Sequence, residues 1–336
     1  MTDDSPILVT GAAGFIGHAV SERLLARGER VIGLDNFNDY YDVSLKEARA
    51  ARLVGNLDFR LVRGDIASPE LLAELVAQNG VRRIVHLAAQ AGVRYSIENP
   101  FAYEHSNLKG HLAMLEAARQ AGDITHLVYA SSSSVYGDRP LGSAGFREDE
   151  PCTAPVSLYA ATKRSCELMS QTYASLYGLP LSGLRFFTVY GPWGRPDMAY
   201  FGFARKILLG QPIEVFGEGR MARDFTYIDD IVDGVVGVLD RPPESGEHRL
   251  LNIGDCRPVG LMDMIAMLER ALGRPAIKLM RPMQPGDVTA TFADISKIRD
   301  LTGYDPQVPL DQGIERFVDW YLGEFEQGRG PMAAVA

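Results

Sequence analysis

Val9-Thr-Gly11-Ala-Ala-Gly14-Phe15-Ile16-Gly17 is the stretch on which the reading of this chain turns. It follows an apolar run, Ile7-Leu-Val-Thr10. It leads into Gly14 to Arg27, where Phe15, Ile16, Val20, Leu24 and Leu25 recur at helical spacing before Gly28 stops the pattern. A G-x-x-G-x-x-G loop between strand and helix suits a dinucleotide. Glycine lets the chain turn sharply, lets backbone approach a diphosphate with no Cβ in the way, and lets helix pack on strand. The helix start then offers unpaired N–H groups to the anion. The next strand, Val31-Ile-Gly-Leu-Asp35, ends in an acid. A carboxylate there accepts hydrogen bonds from the adenosine ribose and repels a 2′-phosphate, which predicts NAD over NADP. Asp65-Ile66 follows a third strand at 58–63, where an aspartate can meet the adenine edge.

Working outward, the rhythm of strand and helix continues. A helical stretch covers about 44–54, and Ser68-Pro69 supplies an N-cap and first-turn proline for a helix to about Asn79. Strands are expected at 83–88, 126–130 and 181–187, and long helices near 100–121 and 158–177. This alternation predicts an α/β fold, a Rossmann-type doubly wound parallel sheet with helices on both faces. Past residue 186 proline and glycine become denser. The expected division is a dinucleotide-binding domain over 1–185, to which part of 224–260 returns, a smaller C-terminal α/β substrate lobe over 186–327, and a frayed tail over 328–336.

Composition narrows the function. With 336 residues, 46% hydrophobic and 23% charged, a core needs no disulfide or metal. The net charge of −9 argues against a general nucleic-acid or membrane-surface binder, since both partners are anionic. No apolar run approaches the ~20 residues of a membrane helix. The first residues lack the basic and apolar regions of a signal peptide. Three scattered cysteines read as reduced thiols of a cytoplasmic protein, and six histidines without ligand spacing predict no metal site.

The chemistry is carried by Tyr159-Ala-Ala-Thr-Lys163, whose i,i+4 spacing puts phenol and ammonium on one helix face. A free tyrosine ionises near pH ~10. A neighbouring ammonium and a cationic nicotinamide ring both favour the phenolate, making Tyr159 a candidate base, while Lys163 can also hold the nicotinamide ribose. Upstream, Tyr129-Ala-Ser131-Ser132-Ser133-Ser134-Val-Tyr-Gly137 leaves an apolar strand, where open α/β sheets present ligands. A hydroxyl there can bond the substrate oxygen that Tyr159 deprotonates.

Together these residues resemble the extended short-chain dehydrogenase/reductase family, in its nucleotide-sugar epimerase/dehydratase branch, over roughly residues 5 to 325. The resemblance implies Ser132, Tyr159 and Lys163 as the catalytic set. It also implies Asn107 as a helix residue supporting the site, Leu87-Ala88-Ala89 as cofactor wall, and Asn36 beside Asp35 in the cofactor site. In the second lobe, Arg223-Asp-Phe-Thr-Tyr227 resembles the strand whose arginine grips the diphosphate. Val215-Phe216 resembles the uracil wall, Gln284-Pro-Gly-Asp287 the nucleoside loop, and Arg281 is a second phosphate candidate. A homodimer through the helices near 100–121 and 158–177 is implied as well.

The serine run also bears on the reaction. Related 4,6-dehydratases place Asp-Glu where Ser133-Ser134 stand, and UDP-glucuronate decarboxylases a glutamate at the second position. Without those carboxylates, the expected reaction needs only reversible hydride transfer, as in C4 epimerisation. The runs Asp35-Asn-Phe-Asn-Asp-Tyr-Tyr-Asp42 and Arg185 to Met198 resemble those of UDP-glucuronate 4-epimerases, which implies Ser133, Ser134, Thr188 and Arg195 around a sugar carboxylate. UDP-glucose/UDP-galactose or N-acetylhexosamine epimerisation is the alternative with the same machinery. A net dehydrogenase or reductase, and a non-catalytic NAD-sensing protein, are the remaining readings.

Overall fold

Strand β1 (Ile7–Thr10) shows why the sheet is buried on both sides. Ile7 and Val9 join one apolar cluster and Leu8 another, so alternate side chains enter different layers. The same holds along β2 (Val31–Asp35), β4 (Arg83–His86), β5 (His126–Ser132) and β6 (Leu181–Phe186), while the edge strand β3 (Phe59–Arg63) leaves Arg60 and Arg63 exposed. A seventh strand, His248–Ile253, comes from far along the chain and pairs with β6. All pairings in this seven-stranded sheet are parallel, in the order (248–253)-β6-β5-β4-β1-β2-β3. The order reverses between β1 and β4, and that switch point opens a crevice at the carboxyl ends of the strands.

These statements come from a computed structural model that describes residues 5–138, 145–284, 286 and 288–326. Asp287 and the tail 328–336 lie outside the described residues. Helix α1 (Phe15–Ala26) packs with the helix Ile228–Leu239 over one face, and α3 (Pro69–Gln78) with Gly110–Ala121 over the other. Helix α2 (Val43–Val54) lies between β2 and β3, its first turn capped by Asp42 on the Ser44 N–H at 2.9 Å. The long helix Leu158–Tyr177 starts where Ser157 Oγ accepts from Ala160 N at 3.1 Å and stops at Gly178, whose φ of +72° suits glycine. The architecture is the Rossmann-type α/β fold read from the sequence.

Two local expectations change. Ser68 makes no side-chain capping bond, so Pro69 alone shapes that helix start. The helix expected near 100–121 is interrupted, with a π-helical turn over Glu104–Lys109 between Pro100–Tyr103 and Gly110–Ala121. That extra residue per turn carries Asn107, which is buried.

The smaller lobe is built on the strand Ala222–Tyr227, which pairs with Thr188–Tyr190, Pro258–Gly260 and Ala290–Thr291. A separate parallel pair joins Ile213–Val215 to Lys278–Met280. Asp224, fully buried, accepts from the N–H groups of Asp255 (2.7 Å), Cys256 (3.1 Å) and Ala293 (2.9 Å), and so ties three chain segments together. Among the described residues no helix is long and apolar enough to cross a membrane.

Candidate active site

The crevice is a cavity of about 420 Å³, within the range of small-molecule sites. Its floor is the glycine loop. Gly11 has φ +71°, and a Cβ on it would meet Ala88 N at 2.9 Å. A Cβ on Gly17 would stand 2.1 Å from Gly11 O. These contacts keep both positions glycine and press the loop against the wall Leu87-Ala88-Ala89, all of which line the cavity with Gly14, Phe15 and Ile16. Asp35 lines it at the end of β2, its Oδ2 accepting from Ala13 N (3.0 Å) and Oδ1 from Phe37 N (2.8 Å). The carboxylate is thus locked to the loop, and each oxygen keeps a lone pair for a ribose hydroxyl. Asn36 and Ile66 complete this end. The glycine floor and the fixed acid fit a dinucleotide.

At the other end, Lys163 donates to Ala130 O at 2.9 Å, which seats its ammonium beside the end of β5. Tyr159 lies one turn earlier on the same helix, its ring edge-on to Tyr103 at 6.0 Å. Tyr103 in turn donates to Ala91 O at 2.9 Å. Behind Lys163, burial and the lysine's charge push His86 down to about 3. The neutral ring bonds Thr10 Oγ1 at 2.8 Å, and that hydroxyl accepts from Ala88 N at 3.1 Å. The wall beside the glycine loop is thereby held from within.

The four serines separate into distinct roles. Ser131 turns into the core and donates to Glu167 Oε1 at 2.6 Å. Ser132 Oγ caps the 3₁₀ turn Ser133–Tyr136, accepting from Ser134 N at 3.2 Å and donating to Ser134 Oγ at 3.1 Å. Ser132, Ser133, Ser134 and Thr188 all line the cavity near Tyr159 and Lys163. So does Arg195, paired with Asp197 at 2.6 Å, whose carboxylate also accepts from Tyr40 OH at 3.2 Å. Burial opposes the charge on Arg195, but the carboxylate of Asp197 outweighs it and raises the guanidinium pKa.

Other expected residues do not reach the cavity. Asn107 stands behind it, its amide exchanging bonds with Gln90 (N to Oδ1 2.9 Å, Nδ2 to O 3.0 Å) and reaching Thr162 Oγ1 at 3.0 Å. It braces the wall from behind the cavity lining. Asp65 is turned to Ala67 N (2.7 Å), Asn36 (3.2 Å) and His105 (3.2 Å) instead of lining the site. Val215 is fully buried in the core, and Phe216 packs under the Arg94 guanidinium at 4.8 Å. Arg223 donates to Val288 O at 2.7 Å, and Arg281 pairs with Glu214 at 3.2 Å. Val215, Phe216, Arg223 and Arg281, on the second lobe's strands and turns, stand outside the cavity lining, whereas Thr188 on the neighbouring strand Thr188–Tyr190 reaches it.

Several site residues escaped the sequence reading. Lys46 lines the cavity almost buried, its Nζ bonding Asn38 O at 2.7 Å; burial pulls its pKa down against the attraction of Asp35. Its only signal was a basic letter on a helix face next to the Asp35–Asp42 run. Asp197, the partner of Arg195, and Tyr40, which donates to Asp197, had no pattern linking them. Among the described residues lining the cavity, Asp35 is the one carboxylate, and it stands three strands from β5.

Residues 7–254 match the NAD dependent epimerase/dehydratase family. UDP-glucuronate 4-epimerase 2 of Arabidopsis thaliana is 48% identical, the match covering 98% of this chain and 79% of that one. The probable UDP-glucuronate 4-epimerase of Rhizobium meliloti (strain 1021) is 47% identical, covering 94% and 96%. Among solved structures, UDP-glucuronic acid 4-epimerase from Bacillus cereus, in complex with UDP-glucuronic acid and NAD, aligns with a TM-score of 0.87 at 36% identity, over 94% of this chain and 98% of that one. A match of this extent joins the glycine loop, the Tyr-Lys helix and the second lobe in one ancestry, and the chain belongs to the NAD-dependent epimerase/dehydratase family.

Proposed function

We propose that the protein is an NAD-dependent UDP-glucuronate 4-epimerase, interconverting UDP-glucuronate and UDP-galacturonate through a 4-keto intermediate. The observation that carries this reading is the lining of the cavity. Around Tyr159 and Lys163 it offers Ser132, Ser133, Ser134, Thr188 and the cation Arg195, with no carboxylate among the described residues that line that end. Elimination across C5 and C6 needs an acid and a base that this wall lacks, whereas a sugar carboxylate needs hydroxyls and a cation, which it has.

In this reading Gly11, Gly14, Gly17 and Asp35 hold the dinucleotide, with Lys46 beside Asp35 as further positive charge. NAD, when bound, supplies the hydride acceptor for C4 and gives the hydride back, so it is regenerated. Tyr159 as phenolate takes the 4-hydroxyl proton and later returns it. Lys163 stabilises that phenolate, and Ser132 orients the same sugar oxygen. Ser133, Ser134, Thr188 and Arg195 hold the C6 carboxylate. That grip has a chemical purpose: a 4-keto uronate is a β-keto acid, and it loses CO2 when the C5–C6 bond aligns with the carbonyl π system. The domain over 1–185 binds the cofactor and the lobe over 186–327 the nucleotide. The similarity to epimerases named for UDP-glucuronate supports this substrate over UDP-glucose.

We also propose a cytoplasmic homodimer. Phe101 (80% exposed), Leu168 (54%) and Leu176 (67%) leave apolar surface on the two helical runs 100–121 and 158–177. Sedimentation should give twice the chain mass. The activity is tested by NMR of products after separate incubation with UDP-glucuronate and UDP-glucose. UDP-galacturonate should form without net NADH absorbance; turnover of UDP-glucose alone, or stoichiometric NADH, overturns the reading.

A further inference from the structure

Arg49, on α2, is 0% exposed, yet no carboxylate among the described residues pairs with it. Its guanidinium is met by neutral oxygens. Nε and Nη2 both donate to Trp193 O, at 3.0 and 2.6 Å, and Nη2 also to Gly194 O at 2.9 Å. Nη1 donates to Ala13 O at 3.2 Å and to Tyr41 OH at 2.7 Å. A buried cation with no counter-charge is costly, and an apolar side chain would fill the space without that cost. What an apolar side chain cannot do is bind three separate stretches of chain at once, which the planar fork of arginine does.

The stretches it joins are informative. Ala13 lies inside the glycine loop, and its own N–H is held by Asp35. Trp193 and Gly194 lead directly into Arg195. Trp193 is a non-glycine residue at φ +61°, a conformation that persists only where neighbours enforce it. Gly194 has no room for a side chain, since a Cβ would stand 1.8 Å from Tyr200 OH. The peptide path into Arg195 is therefore set by Arg49 on one side and by tight packing on the other. Tyr41 closes the arrangement, because its neighbour Tyr40 bonds Asp197, the partner of Arg195.

We propose that Arg49 is a positioning residue that fixes the Arg195 arm against the glycine loop, so that the sugar carboxylate is gripped in register with the bound dinucleotide. The proposal rests on the UDP-glucuronate reading for its chemical outcome. If the arm loosens, the 4-keto intermediate can align its carboxylate for loss. The C5–C6 bond breaks, its electron pair moves onto the C4 carbonyl oxygen as an enolate, CO2 leaves, C5 takes a proton, and the hydride taken from C4 returns there to give the UDP-pentose. Oxidation at C4 is spared, because Tyr159 and Lys163 stand on another helix and Ala13 in the glycine loop is still held by Asp35.

The test compares Arg49→Met, Arg49→Lys, Arg195→Ala and the double variant Arg49→Met/Arg195→Ala, each as full chain with bound NAD. With UDP-glucuronate, the share of turnovers ending in UDP-pentose should rise about tenfold in Arg49→Met, while the C4 oxidation rate stays within about threefold. Arg49→Lys should fall between, since one ammonium cannot span the three stretches. The double variant should partition as Arg195→Ala does, because both changes disable one arm. Parental partition in Arg49→Met, or strictly additive effects, overturns the proposal. Amide hydrogen exchange gives a second readout that needs no substrate. It should quicken by about tenfold across 191–198 and stay unchanged across 158–177 in Arg49→Met, or in Arg49→Lys should the former not fold. If the parent does not epimerise UDP-glucuronate, the substrate reading fails by itself, and unchanged exchange across 191–198 still overturns the role of Arg49.

Discussion

Replacing Glu167 by Gln should destabilise the protein by several kcal/mol although it changes one atom in a side chain that no substrate touches. The carboxylate is 0% exposed and accepts from Arg185 Nε (2.8 Å) and Nη2 (2.9 Å), Arg164 Nη1 (2.8 Å) and Ser131 Oγ (2.6 Å). Burial opposes its charge, but these donors outweigh burial and hold its pKa below the ordinary carboxylate value. Gln turns one acceptor into an NH2 facing those donors. Arg185, 1% exposed, then loses its counter-charge and one of its two acceptors on residue 167, keeping beside the other only Glu148 O at 3.4 Å and the face of Tyr136 at 4.7 Å. Breaking a buried pair on one side costs about 3–5 kcal/mol. At an unfolding entropy of about 2.1 cal/mol/K per residue, a chain of 336 residues should lose about 4–7 °C in Tm. Circular dichroism melts at pH 7.5 measure it. Turnover should fall as well, because Ser131 loses the acceptor that fixes the end of β5. The double variant Glu167→Leu/Arg185→Met removes both charges and should recover most of the lost stability. A single variant melting within about 1 °C of the parent, or a double variant no better than the single, would refute the reasoning.

Tyr159→Phe should keep bound NAD, read by absorbance after extraction, and lose at least about 100-fold in kcat; substantial residual turnover removes Tyr159 as base. Asp224→Ala strips the acceptor from three buried N–H groups, so urea titration should show a loss of about 3 kcal/mol or more, and a loss near zero would mean those groups find other partners. Acid should weaken the fold well before ordinary carboxylates titrate. Burial holds His86 near about 3 and both His126 and His248 near about 4. The unfolded chain takes up protons at these positions below about 6.5 while the native chain does not, so stability is full above that pH and falls on acidification. Each group contributes about 2 kcal/mol of loss between pH 7 and 5, partly offset by Asp255, which burial raises to about 6. A Tm independent of pH over that range, or a His248→Gln variant with an unaltered slope, contradicts this.

How far the sequence could be read depends on where each function is written. The glycine loop and the Tyr159–Lys163 pair are legible because each sits in a short continuous stretch, with helix or turn geometry bringing the groups together. The inner strands β1 and β2 are legible because burial on both faces leaves near-continuous apolar letters. The serine run was legible as a group but not residue by residue. Which hydroxyl faces the cavity and which faces Glu167 follows from the end of β5, one pleat apart. Arg223, Arg281, Val215 and Phe216 were placed by likeness of order along the chain, and order along the chain does not say which side of a small sheet or turn meets the cavity. Arg49 left no trace for a different reason. Four of its five bonds end on backbone carbonyl oxygens, two of those bonds on residue 193, 144 positions away. Carbonyl oxygens are the same in every residue, so no choice of letters at Trp193 or Gly194 announces an arginine partner. Control over a reactive intermediate can therefore rest on a side chain that looks, in one dimension, like an ordinary basic residue on a helix. Burial without an acidic partner among the described residues is the physical mark that distinguishes it.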